Sequence, residues 1–220
     1  MEYAIVLLPL LGSIISGFFG KNLKANLCQI ITSLFVSIST ILSFFIFYEV
    51  FVNDYSSNKL IFNWITSGNF NVNWSINVDP VSSVMLVVVS LISSIIHFYS
   101  IGYMSHDPHK PRFMSYLSLF TFAMLTLVTA DNFLQLFFGW EGVGLCSYLL
   151  IGFWYKKPSA NSAAIKAFLV NRVGDFGFAL GIFLIFYLFG TVNYDEVFLK
   201  IPEFINKEIS LLNNSPPFPF

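Results

Sequence analysis

Apolar runs long enough to cross a bilayer recur six times along this 220-residue chain, and that recurrence leaves few folds open. Hydrocarbon offers no hydrogen bonds, so a run of about 20 apolar residues must satisfy its backbone internally and can cross only as a helix. The runs fall at residues 4–19, 27–52, 79–103, 113–130, 134–155 and 163–190. Composition agrees, with 56% hydrophobic, 19% aromatic and only 10% charged residues and a mean hydropathy of +0.73. The expected fold is an all-α polytopic membrane protein of about six transmembrane helices.

The interval between the second and third runs is different in kind. Leu60, Phe62 and Trp64, then Phe70, Val72, Trp74, Ile76 and Val78, alternate with polar residues around Ser67-Gly68-Asn69. Period two about a glycine turn predicts a small extramembrane β-hairpin between helices 2 and 3. Asp79-Pro80 then opens the third helix, with proline tolerated where its missing N–H would be unpaired anyway. Asp79 and Asp131 both stand where a helix is expected to start and are expected to act as N-caps. After Gly190 a mildly amphipathic stretch is too charged to cross a bilayer, and the chain ends in the Pro-rich sequence NNSPPFPF. The divisions expected are 1–78 for helices 1 and 2 with the hairpin, 79–191 for helices 3 to 6, and 192–220 for the amphipathic segment and tail.

Charge placement orients the spans. Lys21, Lys24, Lys110, Arg112, Lys156 and Lys157 fall in the first, third and fifth connections, whereas the second and fourth carry only Lys59. Short cytoplasmic loops collect Lys and Arg, so both termini and the hairpin are expected outside. The first run follows Glu2, and its cations come after it, the reverse of a cleaved signal peptide. A formal charge of -1 with no basic helix face excludes a nucleic-acid partner. Cys28 and Cys146 lack any metal or disulfide spacing and read as small buried hydrophobes. Gly12, Ser16 and Gly20, and again Gly177 and Gly181, recur at four-residue spacing, which lets helices approach closely. Tyr103, Trp154 and Tyr155 stand at segment ends as interfacial aromatic residues.

Ionisable residues inside the runs carry the functional signal, because a charge at the bilayer centre costs roughly 2.5–3.5 kcal/mol even on insertion scales. Glu141 lies in the fifth run, about 14 Å from its outer boundary; Lys166, Arg172 and Asp175 lie in the sixth, with Asp175 about 18 Å from its inner boundary. Arg172 and Asp175 are three apart on one helix face and are expected to form a buried ion pair. Lys166, about one turn inside, can snorkel to the surface. Glu141 has no opposite charge within four residues of its own helix. Such a carboxyl can bind or release a proton as neighbouring cations approach or withdraw. His97, late in the third run, is a possible proton-route residue, with a plain interfacial histidine as the simpler reading.

The stretches HFYSIGYMSHDPHKPRFMSYLSLF (97–120), ADNFLQLFFGWEGVGLCSYLLIGFWY (130–155) and AAIKAFLVNRVGDFGFALGIF (163–183) resemble the amino-terminal part of the largest antiporter-like subunits of respiratory complex I, NADH:quinone oxidoreductase, relatives of Mrp antiporters. Residues 1–78 agree with that family in layout more than in identity. The resemblance implies a share in redox-driven proton pumping, with the family's helix-5 glutamate at Glu141, its helix-6 lysine at Lys166, and its Arg and Asp at Arg172 and Asp175. It also implies that this chain holds no cofactor itself, with NADH, FMN, iron–sulfur clusters and quinone bound by other subunits. Implied partners are other membrane-arm subunits, the lipid bilayer and the remaining carboxy-terminal part of the same subunit. The implied location is the bacterial inner (cytoplasmic) membrane, or the mitochondrial inner membrane if the chain is organellar. Family members continue through many more helices, including a broken seventh helix with its lysine, so this chain is expected to be an amino-terminal portion. Two rival readings are the large subunit of a multisubunit Na+/H+ antiporter and an inactive assembly fragment.

Overall fold

Each apolar run forms a helix whose ends are set by polar residues rather than by the limits of the apolar pattern. The computed structural model describes residues 1–68 and 70–204. Six helices in it are long and apolar enough to cross a membrane: α1 Glu2–Phe19, α2 Ala25–Val52, α3 Pro80–Tyr103, α4 Lys110–Val128, α5 Phe133–Ile151 and α6 Pro158–Phe189. Strands β1 Ser57–Ser67 and β2 Phe70–Val78 form an antiparallel hairpin between α2 and α3, and a short α7, Tyr194–Phe204, follows α6. The Pro-rich stretch lies outside the described residues.

Boundaries differ from expectation in two places that matter later. Helix α4 begins at Lys110, so Lys110, Pro111 and Arg112 form its first turn instead of a polar loop. Helix α6 begins at Pro158, ahead of the apolar run, because Ser and Asn in a first turn do not stop a helix that proline has opened. Asp79 caps α3 as expected, accepting the Ser82 N–H while the Ser82 hydroxyl accepts the Asp79 N–H. Asp131 does not cap α5. That role belongs to Asn132, whose side chain accepts the Gln135 N–H at 2.8 Å.

Asp131 is buried and accepts from Ser75 Oγ, from Asn58 Nδ2 at 3.2 Å and from Asn132 Nδ2 at 2.6 Å. Gln135 adds two bonds to the Ser75 backbone, at 3.0 and 2.7 Å. The hairpin is thereby fastened to the start of α5. Two bulges in the ladder, between Leu60 and Phe62 and between Asn63 and Ile65, break the expected alternation of β1 and leave Leu60 and Phe62 exposed. Trp64 and Trp74 pack edge-on against Phe138 of α5, and Phe70 meets Phe186 of α6. Glu2, expected only to precede the first span, lies in the first turn of α1, where one carboxylate oxygen takes Tyr55 Oη at 2.6 Å, Ser57 Oγ at 2.8 Å and Lys59 Nζ at 3.2 Å. That clasp holds the hairpin to α1.

Helices α1 to α4 pack together, α5 lies against α4, and α6 lies against α5. Among apolar helices in lipid, association rests on close packing and interhelical hydrogen bonds. Hydroxyls supply these bonds here: Ser13 to Ser115, Ser37 to Ser94, Thr40 to the Ser90 carbonyl and Ser39 to the Ile5 carbonyl. Of the small residues singled out by spacing, Gly12 lies 3.5 Å from Thr32 measured from a built Cβ, whereas Gly177 and Gly181 meet nothing within 4 Å. Gly20, which the spacing also singled out, is tight: a Cβ there would clash with the Ser16 carbonyl oxygen and stand 2.7 Å from the Pro111 side chain of α4. A similarly close approach is one the spacing did not reveal. A Cβ on Gly139 would stand 2.7 Å from the Leu127 backbone, so α4 and α5 touch there.

Gly139→Ala is therefore expected to destabilise the α4–α5 contact by roughly 1–3 kcal/mol as overpacking against immovable backbone. Gly177→Ala is expected to be neutral or slightly stabilising, since alanine favours a helix. Thermal unfolding midpoints of the two variants in detergent, against the unmutated chain, check both.

Candidate functional site

Helices α5 and α6 run antiparallel, and the level of each residue can be read from their contacts. At the Lys/Arg-rich end, Gly152 faces Ala164, with a built Cβ 3.3 Å from that of Ala164. Eleven residues in from each, three helical turns, stand Glu141 and Asp175. Both expected mid-membrane acids therefore lie at one depth on facing helices.

The cation between them takes a different first partner from the one its spacing predicts. Arg172 Nη1 lies 2.5 Å from Glu141 Oε2 and 3.8 Å from Asp175 Oδ2. The expected Arg172–Asp175 ion pair is thus present, but as the longer arm of a three-membered cluster in which Glu141 of α5 is the closer partner. It is not sealed either: the Arg172 side chain is 46% exposed, against 22% for Glu141 and 10% for Asp175. Asp175 faces α5 because Trp140 Nε1 donates to its Oδ1 at 2.9 Å. The Phe168 ring lies 4.6 Å from the Arg172 guanidinium carbon and sets its other side.

Trp140 was not legible as a site residue. An indole adjacent to the glutamate reads as one more aromatic in an aromatic run, and its acceptor lies 35 positions away on another helix. Lys166 is not brought to the acids. It is exposed, makes no ion pair among the described residues, and stands only two residues, about 3 Å, deeper than Ala164. A snorkelling ammonium near the boundary fits that position.

His97 is 0% exposed and sits between α3 and α4, with Nδ1 2.8 Å from the Ser93 carbonyl and Nε2 3.0 Å from Ser118 Oγ. Because a carbonyl only accepts, Nδ1 carries the proton of that bond. Ser93 and Thr121 extend the polar contact. Among the described residues none of these bonds reaches Glu141. Cys28 and Cys146 are both buried and free. Among the described residues no group of three or more His, Cys, Asp or Glu side chains converges.

Two family models match the chain. One, described as the N-terminus of NADH-ubiquinone oxidoreductase (complex I) chain 5, matches residues 64–114; the other, described as the transmembrane region of NADH:quinone oxidoreductase/Mrp antiporter proteins, matches residues 130–215. The second contains Glu141, Lys166, Arg172 and Asp175. NADH-ubiquinone oxidoreductase chain 5 of Chondrus crispus is 51% identical over 96% of this chain and 32% of its own length. NADH-quinone oxidoreductase subunit L of Rickettsia bellii is 51% identical over 94% of this chain and 32% of its own. The chain thus spans about a third of the length of these curated relatives. Among solved structures, the Mrp complex from Dietzia sp. DQ12-45-1b superposes with a TM-score of 0.75 at 20% identity, covering 92% of this chain and 22% of that one, a likeness of fold.

The ion-pair geometry makes a prediction independent of activity. Removing the cation alone, in Arg172→Ala, is expected to cost roughly 1–3 kcal/mol, between the values for exposed and buried pairs. Arg172→Ala with Glu141→Ala is expected to recover more of that loss than Arg172→Ala with Asp175→Ala, because Glu141 is the contact partner. Yield of monodisperse protein and its thermal midpoint in detergent measure the recovery. Equal recovery by both doubles would contradict the order of the two distances.

Proposed function

The chain belongs to the antiporter-like membrane-subunit family of NADH:quinone oxidoreductase, respiratory complex I, and from that membership we propose that it is the amino-terminal portion of a proton-translocating subunit. In this reading Glu141 is the proton-carrying group. The observation that carries it is a mid-membrane carboxylate whose contact cation comes from a different helix, so that their separation can change without either helix unfolding. A cation in contact favours the charged form of a carboxyl; withdrawing it in a low dielectric favours uptake of a proton. Arg172 would act as the movable charge. Asp175, held by Trp140, offers the guanidinium a second resting place. Lys166 would receive or deliver protons near the Lys/Arg-rich boundary, and His97 would serve a separate route through the α3–α4 hydroxyls.

The reading places NADH, FMN, iron–sulfur clusters and quinone on other subunits, with redox energy reaching this chain through its membrane-arm neighbours and the carboxy-terminal part of the subunit. The membrane would be the bacterial cytoplasmic or mitochondrial inner membrane. A second reading, the large subunit of a Na+/H+ antiporter, is supported by the second family model, whose description includes Mrp antiporters. Sodium dependence of the proton flux separates the two.

The test is proton translocation per NADH oxidised, in inside-out vesicles of a host that assembles the chain into its complex. Glu141→Ala is expected to lose most of the translocated protons at a given oxidation rate, and Glu141→Asp to keep most of them. If alanine pumps as well as the unmutated subunit, Glu141 is not the proton carrier.

A further inference from the structure

We infer that the Lys/Arg-rich end of the helical bundle holds the phosphate of an anionic phospholipid on Arg112, with the lipid chains lying along Tyr116, Tyr148 and Ile165. The inference stands apart from proton translocation and needs none of the intramembrane charges.

It starts from a cation that the protein fixes and does not neutralise. Arg112 lies in the first turn of α4 with its guanidinium carbon 4.5 Å from the Phe153 ring centre and 5.4 Å from that of Tyr155. Its Nη2 donates to the Phe153 carbonyl at 2.9 Å. Nothing else among the described residues accepts from it: it joins no ion pair, and its Nε is buried without a partner. A partly buried guanidinium with free donors costs free energy until an anion meets it.

Space for that anion lies on both flanks. A cavity of about 440 Å³ between α4, α5 and α6 has Arg112, Tyr116, Tyr148 and Ile165 in its wall. A second, of about 570 Å³ between α1 and α4, has Arg112 and Tyr116 again, with Ser16, Lys21 and His109. The two share one arginine and one tyrosine. The level is that of the headgroups, because α1 and α5 end here and α4 and α6 begin. Below it the surface turns apolar, with Ile165 52% and Leu169 60% exposed. A polar, cationic head above an apolar wall matches a phospholipid better than a free anion.

The surrounding charge has the matching sign. Among the described residues, Lys21, Lys24, Lys110, Arg112, Lys156 and Lys157 are opposed at this end only by Asp107. Burial pulls the Asp107 carboxyl up, but the His109 amide, the Trp154 indole and the charges of His109 and Arg112 outweigh it and hold the group below its ordinary value. Its oxygens are already taken, by His109 N at 2.7 Å and Trp154 Nε1 at 3.0 Å. Asp107 feels the charge of Arg112 but forms neither an ion pair nor a hydrogen bond with it, so the donors of Arg112 stay open. Basic pockets between membrane helices on the positively charged side attract anionic headgroups, and the planar guanidinium fork suits phosphate oxygens where an ammonium offers only a point charge.

The test uses the 220-residue chain purified in detergent with equimolar phosphatidylglycerol and phosphatidylcholine, reading the ratio of the two lipids retained by native mass spectrometry. The unmutated chain is expected to retain phosphatidylglycerol preferentially. Arg112→Gln is expected to lower the ratio about tenfold, Arg112→Lys to give an intermediate value, and Lys24→Gln with Lys156→Gln, which removes two charges outside both cavities, to change it less than about twofold. Equal retention of both lipids by the unmutated chain overturns the proposal without any variant. So does an equal fall in the Lys24/Lys156 double variant, which would mean diffuse attraction. Release of the bound phosphatidylglycerol by excess inorganic phosphate overturns it in favour of a free-anion site.

Discussion

Hydrocarbon cannot hydrogen-bond, and every feature of this chain follows from where that deficit is met. Backbone groups meet it by forming helices. Side chains meet it by turning hydroxyls, amides and charges toward one another between helices, which is why the interior of the first four helices is lined with Ser and Thr. Many apolar side chains face outward, half-exposed or more, as expected where the surrounding solvent is as apolar as they are, while Ile5, Val6, Ile46, Val50, Leu86 and Leu125 pack between the first four helices.

The same constraint sorts what could be read from the sequence. The spans and the hairpin were legible because each depends on local composition or period. Partner choice was not. Arg172 and Asp175 share a helix face, so spacing alone pairs them; the pairing with Glu141 depends on how α5 and α6 are set against each other, and no local pattern encodes that. His97 is similar: its burial against Ser118 arises from α4 packing over it, which no local pattern encodes. Asp131 and Asn132 were separable as cap and non-cap only once the hairpin was seen to claim the aspartate. Gly139 escaped notice because its neighbour is backbone on another helix.

The site and the hairpin are mechanically joined through α5. Gln135 and Asn132 fasten its start to β2, and Gly139 presses it to α4. Glu141 follows two residues later, so the carboxylate belongs to the better-anchored of the two helices. Helix α6 is held along a narrower strip: its buried residues are Ala164, Asp175 and Ile182 and most of the others are exposed, whereas most of α5 is at least partly covered.

Those three positions are 11 and 7 residues apart, close to whole numbers of turns, and so mark a single line down one side of α6. Asp175 stands on that line. Arg172, three residues before it, is displaced by about 60° around the helix at 3.6 residues per turn. Its guanidinium therefore occupies a corner, closed toward Glu141 and open along the outer flank, and a further acidic group arriving there could approach the cation without prising α6 from α5.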